Sequence, residues 1–119
     1  MAGCALLVSS DLFFIAKVKE AAAACSREVK TVRSHEALQR EAAAGGEGGL
    51  LLIDLEKPTM PLEALAGVAR ELAQKHWKVA SFFSHVHVDT AEKAQQAGLP
   101  QPMARSKFVR VLPELLASL

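Results

Sequence analysis

Asp54 closes the apolar run Leu50-Leu51-Leu52-Ile53, and Pro58 follows in the segment Asp54-Leu55-Glu56-Lys57-Pro58. A carboxylate released at the carboxyl end of a buried strand stands where open α/β sheets place ligands and chemistry. A proline soon after it stiffens the loop that leaves the strand. An aspartate can also end a strand with no chemistry at all, so the other reactive side chains decide its meaning. Ser9-Ser10-Asp11 follows a second apolar run, Cys4-Ala5-Leu6-Leu7-Val8, and supplies three residues able to cap a helix. Ser84 closes a third run, Val79-Ala80-Ser81-Phe82-Phe83. After it comes His85-Val86-His87, whose imidazoles share one side of an extended loop and suit Zn²⁺ in chemical type. Two histidines are a weak motif, and exposed loop histidines are the preferred reading.

The remaining polar clusters carry less. Arg105, Lys107 and Arg110 form a basic group suited to a solvated helix start, and it is too small for a nucleic-acid footprint. Gly45-Gly46-Glu47-Gly48-Gly49 precedes a strand and lacks a following Gly-Lys-Ser/Thr, so it is a loop and not a phosphate cradle. His35 and His76 occupy exposed helix positions. Trp77, at a helix end, covers the edge of the core in preference to serving as a partner-facing aromatic.

Strands and helices alternate along the chain that carries these groups. Strands are expected over Cys4–Val8, Glu28–Val32, Leu50–Asp54, Val79–Ser84 and, weakly, Leu99–Ala104. Pro100 and Pro102 confine the last of these to an edge. Helical spacing recurs at Phe14, Ile15, Val18, Ala22 and Cys25. A second helix runs from Ser34 through Leu38 to Ala44, and a third follows Pro61 through Leu62, Leu65, Val68, Ala69 and Leu72. A fourth opens at Asp89 or Thr90 and stops at Gly98. The last runs from Ser106 to Leu119 with Phe108, Val111, Leu112, Leu115 and Leu116 on one face. Strand–helix alternation repeated five times implies a parallel sheet covered on both faces. The matching architecture is the flavodoxin-like (βα)5 doubly wound sandwich with strand order 2-1-3-4-5. Its switch point lies between the first and third strands, which brings Ser9-Ser10-Asp11 beside Asp54.

Length and composition bound the rest. With 119 residues the chain reads as a single domain, 1–119, with one core. Half the residues are hydrophobic but only 5% are aromatic, so the core is aliphatic and alanine-rich. A net charge of +1 implies neither nucleic acid nor an anionic membrane as partner. Met1-Ala2-Gly3-Cys4 has no basic segment before its apolar stretch, as a signal peptide would. Cys4 and Cys25 do not make a disulfide framework, and both are expected reduced and buried in a cytoplasmic protein.

Over nearly its whole length the chain resembles the receiver domain of bacterial two-component response regulators. Asp54 with Pro58, Ser84, and the Ala97-Gly98 turn carry the resemblance. It implies that Asp54 is the phosphoacceptor, attacking a phosphohistidine. It also implies Mg²⁺ held by two acidic residues after the first strand. Ser84 and a lysine after the fifth strand would hold the phosphoryl oxygens, since phosphoryl transfer needs positive charge at those atoms. By family position the metal set here is Asp11, Asp54 and Glu56, and the phosphoryl-binding set is Ser84, Arg105 and Lys107.

Much of that pattern is altered. Ser9 and Ser10 stand where the acidic pair belongs, and Asp11 comes one place late. Arg105-Ser106 replaces the lysine-proline pair, with Lys107 two residues further. Pro102 or Met103 stands where the fifth strand should carry an aromatic. Serine hydroxyls are poor substitutes for carboxylates at a hard cation, so Mg²⁺ binding should be weak and no resident cofactor is expected. Arg105 can fork onto a phosphoryl group or pair with Asp54 itself. The expectation is therefore an atypical or pseudo-receiver: a non-enzymatic signalling module that binds a protein partner or itself through its fourth helix, fifth strand and last helix. The alternative is a working phosphorelay receiver phosphorylated on Asp54.

Overall fold

The computed structural model describes residues 4–84 and 87–119. Five strands and five helices alternate along the chain: β1 (Ala5–Val8), α1 (Leu12–Ala24), β2 (Lys30–Val32), α2 (His35–Gly45), β3 (Leu50–Asp54), α3 (Leu62–Gln74), β4 (Lys78–Phe83), α4 (Val88–Ala97), β5 (Met103–Ala104) and α5 (Arg105–Ala117). The strands form one parallel sheet in the order β2-β1-β3-β4-β5. This is the flavodoxin-like doubly wound order that the alternation predicts.

The two apolar runs make the centre of the sheet because they are apolar at every position. Successive strand residues point to opposite faces, so only a strand buried on both faces has a use for such a run. In β3, Leu50 and Leu52 pack with Phe14, Val18, Phe108 and Leu112, on the side covered by α1 and α5. Leu51 and Ile53 pack with Leu38, Leu65, Leu72 and Ala94, on the side covered by α2, α3 and α4. β1 lies against β3 in the register Leu7↔Leu52 and Val8↔Ile53. That register brings Ser9 and Asp54 out of the sheet together.

Local chemistry sets the helix ends. The Asp11 carboxylate accepts from the backbone N–H groups of Phe13 and Phe14 at 3.0 and 3.2 Å and starts α1. Ser34 does the same for α2 through Ala37 N–H at 3.1 Å. Gly98 ends α4 with φ +110, a conformation in which any Cβ is strained.

The element boundaries differ from the sequence reading in small ways. β4 starts at Lys78 and stops before Ser84. α4 starts at Val88. β5 shrinks to two residues, and Arg105 already belongs to α5. On α5, Phe108, Leu112 and Leu116 are buried while Val111 and Leu115 are only half-buried. The cysteines depart further. Both are free, but each is half-buried, because each packs at the margin of a core cluster. Among the described residues, no helix is long and apolar enough to cross a membrane.

Trp77 covers the core edge, at 5% exposure. Its indole N–H donates to the Gly46 carbonyl at 2.8 Å. The ring lies on the glycine loop so closely that a Cβ at Gly49 would fall 2.5 Å from three of its carbons. That contact is why glycine stands immediately before β3.

Candidate functional site

Asp54 stands at the carboxyl edge of the sheet, yet it is only 2% exposed. Both oxygens of its carboxylate accept hydrogen bonds. Oδ1 accepts from the backbone N–H groups of Glu56 and Lys57 at 2.9 and 3.1 Å. Oδ2 accepts from the Ser9 hydroxyl at 2.7 Å. Ser9 is 0% exposed, and its oxygen also accepts from the Asp11 N–H at 3.1 Å. Asp54 thus organises the β3–α3 loop and ties it to the β1–α1 loop. Ser10 adds a second tie, its N–H donating to the Lys57 carbonyl at 3.0 Å and its hydroxyl donating at 3.3 Å. Buried polar groups are rarely left unpaired, and the pairing around Asp54 follows that rule.

Among the described residues, the side chains of Asp11, Glu56, Ser84, Arg105 and Lys107 make no hydrogen bond or ion pair with Asp54. Asp11 spends Oδ1 as the cap of α1. Its Oδ2 lies 3.9 Å from an Arg105 guanidinium nitrogen. Arg105 therefore faces Asp11, and not Asp54 as one reading of the sequence had it. Its guanidinium carbon also lies 4.9 Å from the Phe14 ring centroid. That ring packs in a tilted arrangement against Phe82 and Phe108, at centroid separations of 4.4 and 5.7 Å. The cation and the aromatic face attract one another, and this holds Arg105 toward α1.

Glu56 is engaged as well. Its Oε1 meets Nδ1 of His87, which joins the β3–α3 loop to the start of α4. His87 was grouped with His85 in the sequence; His85 lies outside the described residues. Ser84 follows β4 half-buried, and its carbonyl accepts from His87 N–H at 2.8 Å. Lys107 is exposed on α5. Among the described residues, no three His, Cys, Asp or Glu side chains gather as metal ligands would. The sequence reading missed the Ser9–Asp54 bond and the His87–Glu56 pair. In sequence Ser9 reads as a possible helix cap and as the replacement of an acid, set beside Asp54 by the switch-point topology, but not as a hydrogen-bond donor to that carboxylate.

No family model matches the sequence, and no curated protein matches it. Solved structures do. A response regulator from Thermotoga maritima superposes with a TM-score of 0.71 at 16% identity, covering 100% of both chains. The beryllofluoride-activated NtrC4 receiver domain dimer gives 0.66 at 14% identity over 94% of each chain. A response regulator receiver domain from Rhodospirillum rubrum gives 0.65 at 13% identity, over 96% of this chain and 91% of the other. The fold of this chain is that of the response-regulator receiver domain.

Proposed function

We propose that this protein is a signalling module that works by protein–protein contact, on a receiver fold whose phosphorylation site has become structural. The observation that carries the reading is the hydrogen bonding of Asp54. Both of its oxygens are occupied by the Ser9 hydroxyl and two backbone N–H groups, and the residue is 2% exposed. A nucleophile must reach the phosphorus in line, and the burial of Asp54 together with the Ser9 bond on Oδ2 obstructs that approach.

The donor set around Asp54 does not fit Mg²⁺. The ion needs near-octahedral oxygen ligation. Ser9 is neutral and doubly bonded, Asp11 caps a helix beside Arg105, and Glu56 pairs with His87. Arg105 sits by Asp11 and Phe14, so the cation available at the edge is directed away from any phosphoryl group on Asp54. Any Mg²⁺ binding is then millimolar or weaker.

With no phosphoryl input, the surface of α4, β5 and α5 is competent without activation. Met103 at its centre is half-buried, and Lys107 and Arg110 stand exposed beside it. Pro100 and Pro102 precede β5 and disfavour strand addition, so side-chain packing carries the contact. The protein acts in the cytoplasm on this reading, and neither nucleic acid nor a membrane is its direct partner. Titration of the amide spectrum with Mg²⁺ and beryllofluoride is the test. No saturable shifts are expected at Ser9, Asp54 or Ser84. Saturation at sub-millimolar metal would restore the alternative, a phosphoacceptor receiver.

A further inference from the structure

A small pocket opens between α3 and α4, behind the loop that follows Asp54. Its volume is about 120 Å³, and it is lined by Leu55, Pro58, Leu62, Leu65, Thr90 and Lys93. Four of the six are apolar, and they come from the β3–α3 loop and from α3. The two polar residues come from α4 and supply one hydroxyl and one ammonium. Lys93 takes part in no ion pair among the described residues. Leu62 and Lys93 also line a larger groove of about 510 Å³ that continues past Ala66, Gly67, Arg70 and Ala97. The space beside Gly67 is open, since a Cβ there would meet nothing within 4 Å.

We infer that this pocket binds a small monocarboxylate with a phenyl or branched aliphatic tail. The tail lies among Leu55, Pro58, Leu62 and Leu65, and the carboxylate meets the Lys93 ammonium and the Thr90 hydroxyl. Size limits the tail: an apolar cavity of about 150 Å³ admits benzene, so this smaller one takes a branched alkyl group or part of a phenyl ring, with the rest of the ring in its open mouth. Apolar walls with a few convergent polar groups are the usual make-up of a small-molecule site. Charge supports the head group. Arg70 and Lys93 outnumber Glu63 along the pocket and its continuing groove, so an anion is favoured over a cation. A bound ligand would touch the β3–α3 loop, α3 and α4 at once. It would thereby couple α4 to the loop of Asp54 with no phosphoryl chemistry. The inference does not depend on whether Asp54 accepts a phosphoryl group, so the two can fail separately.

Amide NMR titrations with phenylacetate, phenethylamine and acetate test it. Phenylacetate should shift Leu55, Leu62, Leu65, Thr90 and Lys93 and saturate with a Kd of about millimolar, as suits so small a ligand. Phenethylamine has the tail with the wrong charge, acetate has the charge without the tail, and neither should saturate. Lys93→Met should weaken phenylacetate by about tenfold or more. Lys93 is exposed, so the fold should survive, and circular dichroism checks it. No saturable shifts at these residues, equal binding of phenethylamine, or unchanged affinity in Lys93→Met would each overturn the inference.

Discussion

Ser9 and Asp54, 45 residues apart in the chain, are joined by a buried 2.7 Å hydrogen bond from the serine hydroxyl to the aspartate carboxylate. The register of β1 on β3 places them side by side where the two central strands end. An acidic residue at position 9 would face Asp54 as a like charge and need a cation between them. Serine needs none, because it brings its own donor.

Ser9→Ala removes that donor and leaves a buried carboxylate oxygen short of a partner. The expected cost is about 2 kcal/mol. Urea denaturation monitored by circular dichroism measures it. Ser9→Thr keeps a hydroxyl and should recover most of the loss, which separates the hydrogen bond from packing.

Gly49→Ala is expected to destabilise the protein by about 2 kcal/mol through overpacking. The new methyl group would fall 2.5 Å from the Trp77 ring, and the ring is held by its bond to the Gly46 carbonyl. Trp77 fluorescence reports the displacement directly, with a red shift as the indole gains water. Unchanged emission and stability would mean the loop yields without cost.

The fold was legible because its signals are those of the sheet itself. The run Leu50–Ile53 and the run Ala5–Val8 are apolar at every position, which only the centre of a two-sided sheet requires. Strand β5 was the least legible. Its two residues gain pairing only from Phe82 and Phe83 of β4, a tertiary effect that the prolines around it conceal. In the site, residue types were readable and their pairings were not. Arg105 turns toward Asp11 because the Phe14 face draws its guanidinium, and no sequence spacing encodes that contact. The His87–Glu56 pair joins two loops whose approach depends on the β3–β4 register.

Burial pushes the Cys4 thiol above its ordinary value of 9.0, and the nearby Glu41 charge adds to the effect. The folded chain then holds this proton more tightly than the unfolded chain. Its contribution to stability is intact below pH 9 and is lost as pH rises through the folded value. Iodoacetamide should modify Cys4 more slowly than an unstructured peptide thiol at pH 8, with peptide mapping as the readout. A faster rate would contradict the burial.

Charge reversal at Lys107 or Arg110, both exposed on α5, should weaken self-association or partner binding by about tenfold, the effect of a lost favourable contact. Sedimentation at several concentrations follows the homotypic case. Acetyl phosphate should leave the association of the unaltered protein unchanged. Association that rises with the phosphodonor would mean that Asp54 still governs this surface.

Intact mass after incubation with acetyl phosphate and Mg²⁺ tests most directly whether Asp54 has become structural. Its carboxylate is engaged by Ser9, Glu56 and Lys57, so the expected spectrum shows only the unmodified chain. A phosphoryl adduct on the unaltered protein that is missing from Asp54→Asn would contradict the proposal.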